Sequence, residues 1–399
     1  KRSTMGRFSH FNDRSQIMHN IENQDNTLSN LLRTIQETNS LKQDYIAPTS
    51  ELQLRTPVWS DDNSGNKSEI VMEGAGGVPT KILKVNDLCF DQIAQKNGFD
   101  TRTAKRLQQQ YPVEFDNVMN AIFQKESSKR LIRTYDIAGS PNYGTARAFL
   151  SDRFKTFDNT DLLEACVPQL MESEASWKIV TAAITEKKMY IKLKSELLKG
   201  AGANVNDIMA HGIGISNSET GAGSINVHEI CWTLICDNGM QTQKQTRKAH
   251  ITSAREGDSW NILTDETKQA DNHSLKLQLR DIVGSYSSRE SFDENLQKFR
   301  MAAQDVVPAD VDKTDVVENL GKVLSLSKKE TSSVLNGLLD TIGQAGYEND
   351  QPLNRATMVN AVTAVAHKAE ADDVDFWQRL GGQVLDLKKS DWNRVAVAA

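Results

Sequence analysis

Two stretches of this chain alternate in the way a β-strand does and gather cationic or aromatic side chains on one parity, and a third is a basic segment that leaves a turn. Over 188–194, Lys188, Tyr190, Lys192 and Lys194 point one way while Met189, Ile191 and Leu193 point the other. Over 145–154, Arg147, Phe149, Ser151 and Arg153 share a face opposite Ala146, Ala148 and Leu150. A third set, Lys244, Arg247, Lys248, His250 and Arg255, leaves the turn Asp237-Asn238-Gly239. Same-face residues recur about every 6.7 Å along a strand, close to the phosphate spacing of an extended single strand. A ring set between cations can also stack on a base. The chemistry expected of such a set is capture of single-stranded DNA in a basic groove. Arg147, Arg153, Lys188, Lys192, Lys194, Lys244, Arg247 and Lys248 would contact phosphates, Phe149 or Tyr190 would stack, and His250 would donate a structural or phosphate-directed hydrogen bond.

Catalysis finds less support. His211, His228, Glu219, Glu229 and Cys231 lie near one another in sequence, but His228 and Glu229 are adjacent in a strand and face apart. No HExxH, GxSxG or Asp-rich metal motif occurs. The cluster Gly74–Gly77 lacks the Lys-Ser/Thr ending of a phosphate-binding loop and reads as a turn. Cys89, Cys166, Cys231 and Cys236 have neither zinc spacing nor the density of a disulfide scaffold, so buried free thiols are expected. The expectation is a non-enzyme without cofactor or metal.

The net charge of −6 argues against indiscriminate coating of nucleic acid, yet it is segregated. Residues 125–255 hold an excess of Lys and Arg, and the acidic surplus lies elsewhere. No apolar run approaches the roughly 20 residues of a membrane helix, and the first residues lack the apolar core of a secretory signal. Residence in the host-cell cytoplasm is therefore expected.

The elements that must position these side chains read as an α+β fold. A central, mainly antiparallel sheet of long hairpins with a crossing helix would occupy 129–256. A helical arm would precede it at 1–47, a loop-rich connection with small helices at 48–128, and a helical region would follow at 257–399. The organising hairpin pairs His211–Ser216 with Ser224–Cys236 around the Gly-rich tip Glu219–Gly223. The crossing helix starts behind Asp158 or Asn159, and Pro168 should bend or end it. Helices over Asp87–Lys96, Thr101–Gln110 and Val113–Gln124 invite comparison with a helix-turn-helix reader. The third carries Glu114 and Asp116, so all three are read as packing against the body.

Several stretches carry a resemblance. Ser216-Asn217-Ser218-Glu219 followed by Gly-x-Gly, then Cys236-Asp237-Asn238-Gly239-Met240, then Arg247-x-x-His250, resemble a phage/plasmid-like family catalogued as a domain of unknown function. The segment from Arg147 through Arg153 to Asn159, and Leu380-Gly-Gly-Gln-Val-Leu385, fit the same pattern. The likeness spans roughly Leu131 to Leu387 and implies no activity by itself. The strands with a crossing helix are also similar in architecture to single-strand annealing recombinases, which implies a homo-oligomeric ring or filament. The competing expectation is an assembly or interaction protein whose basic faces are merely solvated.

Overall fold

A computed structural model describes residues 28–57, 65–73, 79–202, 208–233, 238–250, 263–343 and 352–397. The mixed α+β class and the helical C-terminal region are as read from the sequence, but the expected central sheet resolves into two.

The first sheet draws most of its strands from before residue 129. Strands β1 (Lys42–Pro48), β2 (Leu52–Arg55), β3 (Glu69–Glu73), β4 (Pro79–Val85), β5 (Lys129–Ile137) and β6 (Ser140–Ser151) make a six-stranded sheet in the order β1-β5-β6-β4-β3-β2. The β4–β6 pair is parallel, its long crossover made of three helices and then β5, which itself pairs antiparallel with β6. These are α2 (Asp87–Lys96), capped by Asn86, α3 (Thr101–Gln110), capped by Asp100, and α4 (Pro112–Lys125), opened by its proline. They bury Ile93, Phe115, Met119 and Phe123 against Leu54, Ile70, Leu83 and Phe149. Asn120 of α4 bonds both the N–H and the carbonyl of Leu54, closing the free edge of β2.

The second sheet is antiparallel, in the order β11-β10-β9-β8-β7, from β7 (Trp177–Ile184), β8 (Met189–Ala201), β9 (Ile208–Asn217), β10 (Ile225–Thr233) and β11 (Asn238–Lys248). The segment expected only to lead away from the hairpin is thus itself an edge strand. One face packs on α5 (Asn159–Glu172) and α6 (Asp265–Tyr286) through Ile191, Leu193, Ile213, Leu162, Cys166 and Leu279. Pro168 lies within α5, which continues to Glu172. The helix of the N-terminal arm, α1 (Leu28–Asn39), docks on the body by placing Ile35 in that core.

The C-terminal helices are α7 (Arg289–Ala302), α8 (Lys313–Leu324), α9 (Lys328–Ile342), α10 (Arg355–Ala364), α11 (Ala371–Leu385) and α12 (Lys389–Val395). Their core includes Val359, Leu380 and Trp392 and takes in Met209, Cys231 and Met240 from the second sheet. Helix α11 lies so close to β11 that a Cβ at Gly382 would sit 1.9 Å from the Gln241 carbonyl oxygen. The Leu380-Gly-Gly stretch is thereby explained as close packing of helix on strand. Among the described residues no helix is long and apolar enough to cross a membrane.

Candidate nucleic-acid interface

The tip of the β9–β10 hairpin turns inward, because its polar residues bond the body rather than solvent. Asn217 donates to the Phe157 carbonyl and to the Asn159 side-chain oxygen, each at 3.0 Å, and Ser218 donates to the Lys187 carbonyl at 2.7 Å. His250 lies 2.9 Å from the Asn217 side-chain oxygen and stacks on Phe154, with ring centroids 4.9 Å apart. Asn159, Asn217 and His250, three of the residues that carry the resemblance, are thus bonded in one set.

Glu219 is the centre of this junction. Its carboxylate accepts from Arg147 and Lys42, both at 2.6 Å, and from the Asn159 N–H at 2.7 Å. Its carbonyl oxygen accepts from Arg133 at 3.0 Å, and Arg133 reaches on to Asp158 at 2.7 Å and Asp44 at 2.9 Å. Burial and the neighbouring Asp158 push the Glu219 carboxyl up, but Arg147, Lys42 and Arg133 together hold it below its ordinary value. Asp158 is also pushed up by burial, yet Arg133, Lys42 and Arg147 bring it down to about 2. This network joins α1's exit, both sheets and the start of α5.

Arg147 and Phe149 are therefore not on an open basic face. The pairing of β5 with β6 matches Ala148 to Arg133 and Ala146 to Thr134, leaving Arg147 as an extra, bulged residue. The bulge breaks the alternation, so Ala146 and Phe149 enter the same helix-covered core. Phe149 stacks on Phe123 at 6.2 Å, and Arg147 lies over the Tyr135 ring at 4.8 Å.

The face read on β8 alternates as expected but is covered. Lys192 is buried under α11, paired with Asp375 and bonded to Gln378, both at 2.7 Å. Burial lowers its pKa, and Asp375 only partly compensates. Tyr190 is buried, with the Lys188 ammonium 5.9 Å from its ring centroid, and Lys194 lies over Trp232 at 5.7 Å. Lys244 pairs with Glu294 at 2.6 Å, and Lys248 donates to Gln278 at 3.0 Å. Arg255 and Cys236 lie outside the described residues.

A smaller set remains at the surface. Arg153 and Arg247 are exposed, and Lys188 is half-buried. Lys188 runs along Gly223, where a Cβ would meet its side chain at 2.5 Å, and Arg247 donates to the Ser224 hydroxyl at 3.3 Å. These two cations bracket Gly223-Ser224. The strand registers place Tyr190, Ser216, Asn226 and Arg247 in one row across β8, β9, β10 and β11. Arg153 precedes Phe154, whose ring reaches the tip at Gly221. Reading the sequence missed Asp375 and Gln378, which take Lys192 inward, and Lys42 and Arg133, the cations that share the Glu219 and Asp158 junction with Arg147. These partners lie far along the chain from the groups they hold, so local pattern gave no signal for them.

Among the described residues no group of His, Cys, Asp and Glu is placed to hold a metal ion. What fold and surface define is a two-sheet α+β protein with a buried ionic junction and a small basic rim. Comparison with protein-family models, curated proteins and solved structures returns no match, so the phage/plasmid-like resemblance rests on the motif residues alone.

Proposed function

We propose that this chain is a non-enzymatic protein that binds single-stranded DNA at the rim of the β9–β10 tip, with annealing or recombination as its context. The observation that carries this reading is the bracketing of Gly223-Ser224 by Lys188 and Arg247, with Arg247 opposite Asn226 and with exposed Arg153 next to Phe154, whose ring reaches Gly221. Exposed arginines there can meet successive phosphates, while the polar row offers hydrogen bonds to bases. The binding surface is smaller than the groove first expected, because Arg147 and Lys192 are buried against carboxylates and Lys244 is paired with Glu294 at the surface. Removing one phosphate-binding cation should reduce the slope of log affinity against log salt by about 0.7. A salt titration of an oligo-dT probe tests this: Arg153→Glu with Arg247→Glu should weaken binding and flatten the slope. An unchanged slope, or no binding by the parent chain at low salt, rejects the reading.

One observation favours the assembly reading. At the far end of the β8–β9 hairpin, Leu197 is 63% exposed and Ile208 45%, and Met301 of α7 is 60% exposed. Arg300 binds the nearby Ala201 carbonyl and so holds Met301 at that end. Such apolar exposure suits docking of a further copy in a ring or filament. A solution mass that stays monomeric at high concentration, with and without oligo-dT, rejects it.

A further inference from the structure

Helices α2 and α3 are joined by the short turn Asn97–Asp100, in which Gly98 has φ +83°. Nothing lies within 4 Å of where a Cβ would be, so glycine is required there for backbone conformation rather than for room. The turn is fastened by Asn97, which donates to the Ile93 carbonyl at 2.7 Å, and by the Phe99 N–H on the Ala94 carbonyl at 3.0 Å. Asp100 then caps α3 by accepting from the Thr103 N–H at 2.9 Å.

The two helices also divide their residues by role. Ile93, Ala94 and Ala104 are fully buried where the helices meet, with Phe99 and Leu107 packed against the same core. Arg102, Lys105 and Arg106 stand on the exposed side of α3. Lys105 pairs with Asp91 of α2 at 2.8 Å and ties the helices together. The C-terminal end of α3 is anchored by Gln109, which exchanges two 2.8 Å hydrogen bonds with the Asn66 backbone. The N-terminal turns of α3 are thus left as the presented part.

A helix, a short turn containing a left-handed glycine, and a second helix presenting basic residues from its first turns is the arrangement that enters a DNA major groove. We propose that α2 and α3 form a helix-turn-helix unit that reads double-stranded DNA, with Arg102 and Arg106 reaching guanine edges. The acidic character of α4 does not oppose this, because α3 is the reading helix and α4 supports it from behind through Phe115 and Met119. Helix α2 touches the β9–β10 tip through Gln92, which donates to the Thr220 carbonyl at 2.7 Å, but Arg102 and Arg106 stand on α3, and the inference stands independently of the single-strand reading.

The test is selection by the full chain from a random-sequence duplex pool, followed by anisotropy on the enriched duplex. A defined sequence is expected to emerge. Arg102→Ala and Arg106→Ala should each weaken that duplex by about tenfold and relax base choice. Both side chains are exposed, so the variants should melt with the parent. Arg247→Glu should leave the selected duplex bound as before. No enrichment from the pool, or undiminished binding by the double variant Arg102→Ala, Arg106→Ala, overturns the proposal. Oligo-dT separates the two readings: a chain that binds oligo-dT but enriches no duplex overturns this inference alone, and the converse result overturns only the single-strand reading.

Discussion

Two buried glutamates on one hairpin meet opposite surroundings. Glu219, at the tip, is ringed by Arg147, Lys42 and Arg133, and its carboxyl is held below its ordinary value. Glu229, in β10, is no more exposed, but its partners are neutral: the Ser291 hydroxyl, Asn295 at 2.7 Å and Thr242 at 3.2 Å. Burial raises the Glu229 pKa, and these hydrogen bonds draw it back only in part. The nearest ammonium, Lys244, donates to Ser291 at 2.6 Å and acts on the carboxylate from beyond that hydroxyl. Equal burial therefore does not mean equal cost. Glu219 is an ionised keystone, whereas Glu229 is a polar group that tolerates its proton.

The sharpest way to break this contrast is to remove the keystone. Glu219→Ala leaves Arg147 and Lys42 buried without their shared anion, and should cost about 3–5 kcal/mol in urea unfolding. A loss below about 1 kcal/mol would mean that water or Asp158 replaces the carboxylate, and the junction would no longer explain how the sheets are joined. Next in size is Lys192, whose loss strands the half-buried Asp375. Lys192→Ala should cost roughly 2–3 kcal/mol, while Lys192→Met with Asp375→Leu should recover most of it, since an apolar pair of similar volume needs no charge. Oligo-dT affinity should change in neither variant. A fall in affinity without a fall in stability would return Lys192 to the binding surface.

The pH profile separates the two glutamates by sign. For Asp158 and Glu219 the folded pKa lies below the unfolded one, so their stabilisation is complete above about pH 5 and fades as pH falls through the folded values, about 2 for Asp158. Glu229 runs the other way: its contribution is present below the unfolded value and is lost as pH rises through its raised folded value. His211 and His228, both lowered to about 4 by burial, add a loss as pH falls from about 6.5 towards 4. That loss should be on the order of 1–3 kcal/mol for each ring, since one unit is worth about 1.4 kcal/mol. Urea unfolding from pH 7 to pH 4 measures it, and His228→Gln should flatten the slope. A flat parent profile would show that these rings are solvated.

The same contrast shows which features local sequence pattern could reveal. The parity of Met189, Ile191 and Leu193 against Lys188, Tyr190, Lys192 and Lys194 is legible, because alternation is a property of one strand. So are the caps Asn86 and Asp100, which act within a turn. What covers a face is not legible: Lys192 is taken inward by Asp375, far along the chain, and only the assembled fold brings the two together. The bulge at Arg147 is hidden for a related reason, since it is defined by the partner strand β5. Strand β1 pairs with β5, far along the chain, so nothing nearby signalled it. Positive strand residues announce charge, but the position of carboxylates decides whether that charge faces solvent.

The smallest expected effect is also the most discriminating test of the opening contrast. In Glu229→Gln the amide keeps an oxygen to accept from Asn295 or Thr242, and its NH2 group faces the Ser291 hydroxyl, which can turn to accept. The substitution removes a charge whose ionisation burial already opposes, so stability at pH 7 should change by less than about 1 kcal/mol. It should also erase the part of the profile in which stability falls as pH rises. Glu219→Gln should instead lose most of what Glu219→Ala loses, because an amide cannot neutralise Arg147 and Lys42 together. If the two glutamine variants proved equally costly, hydrogen-bond number rather than partner charge would govern both sites, and the distinction between keystone and tolerant glutamate would dissolve.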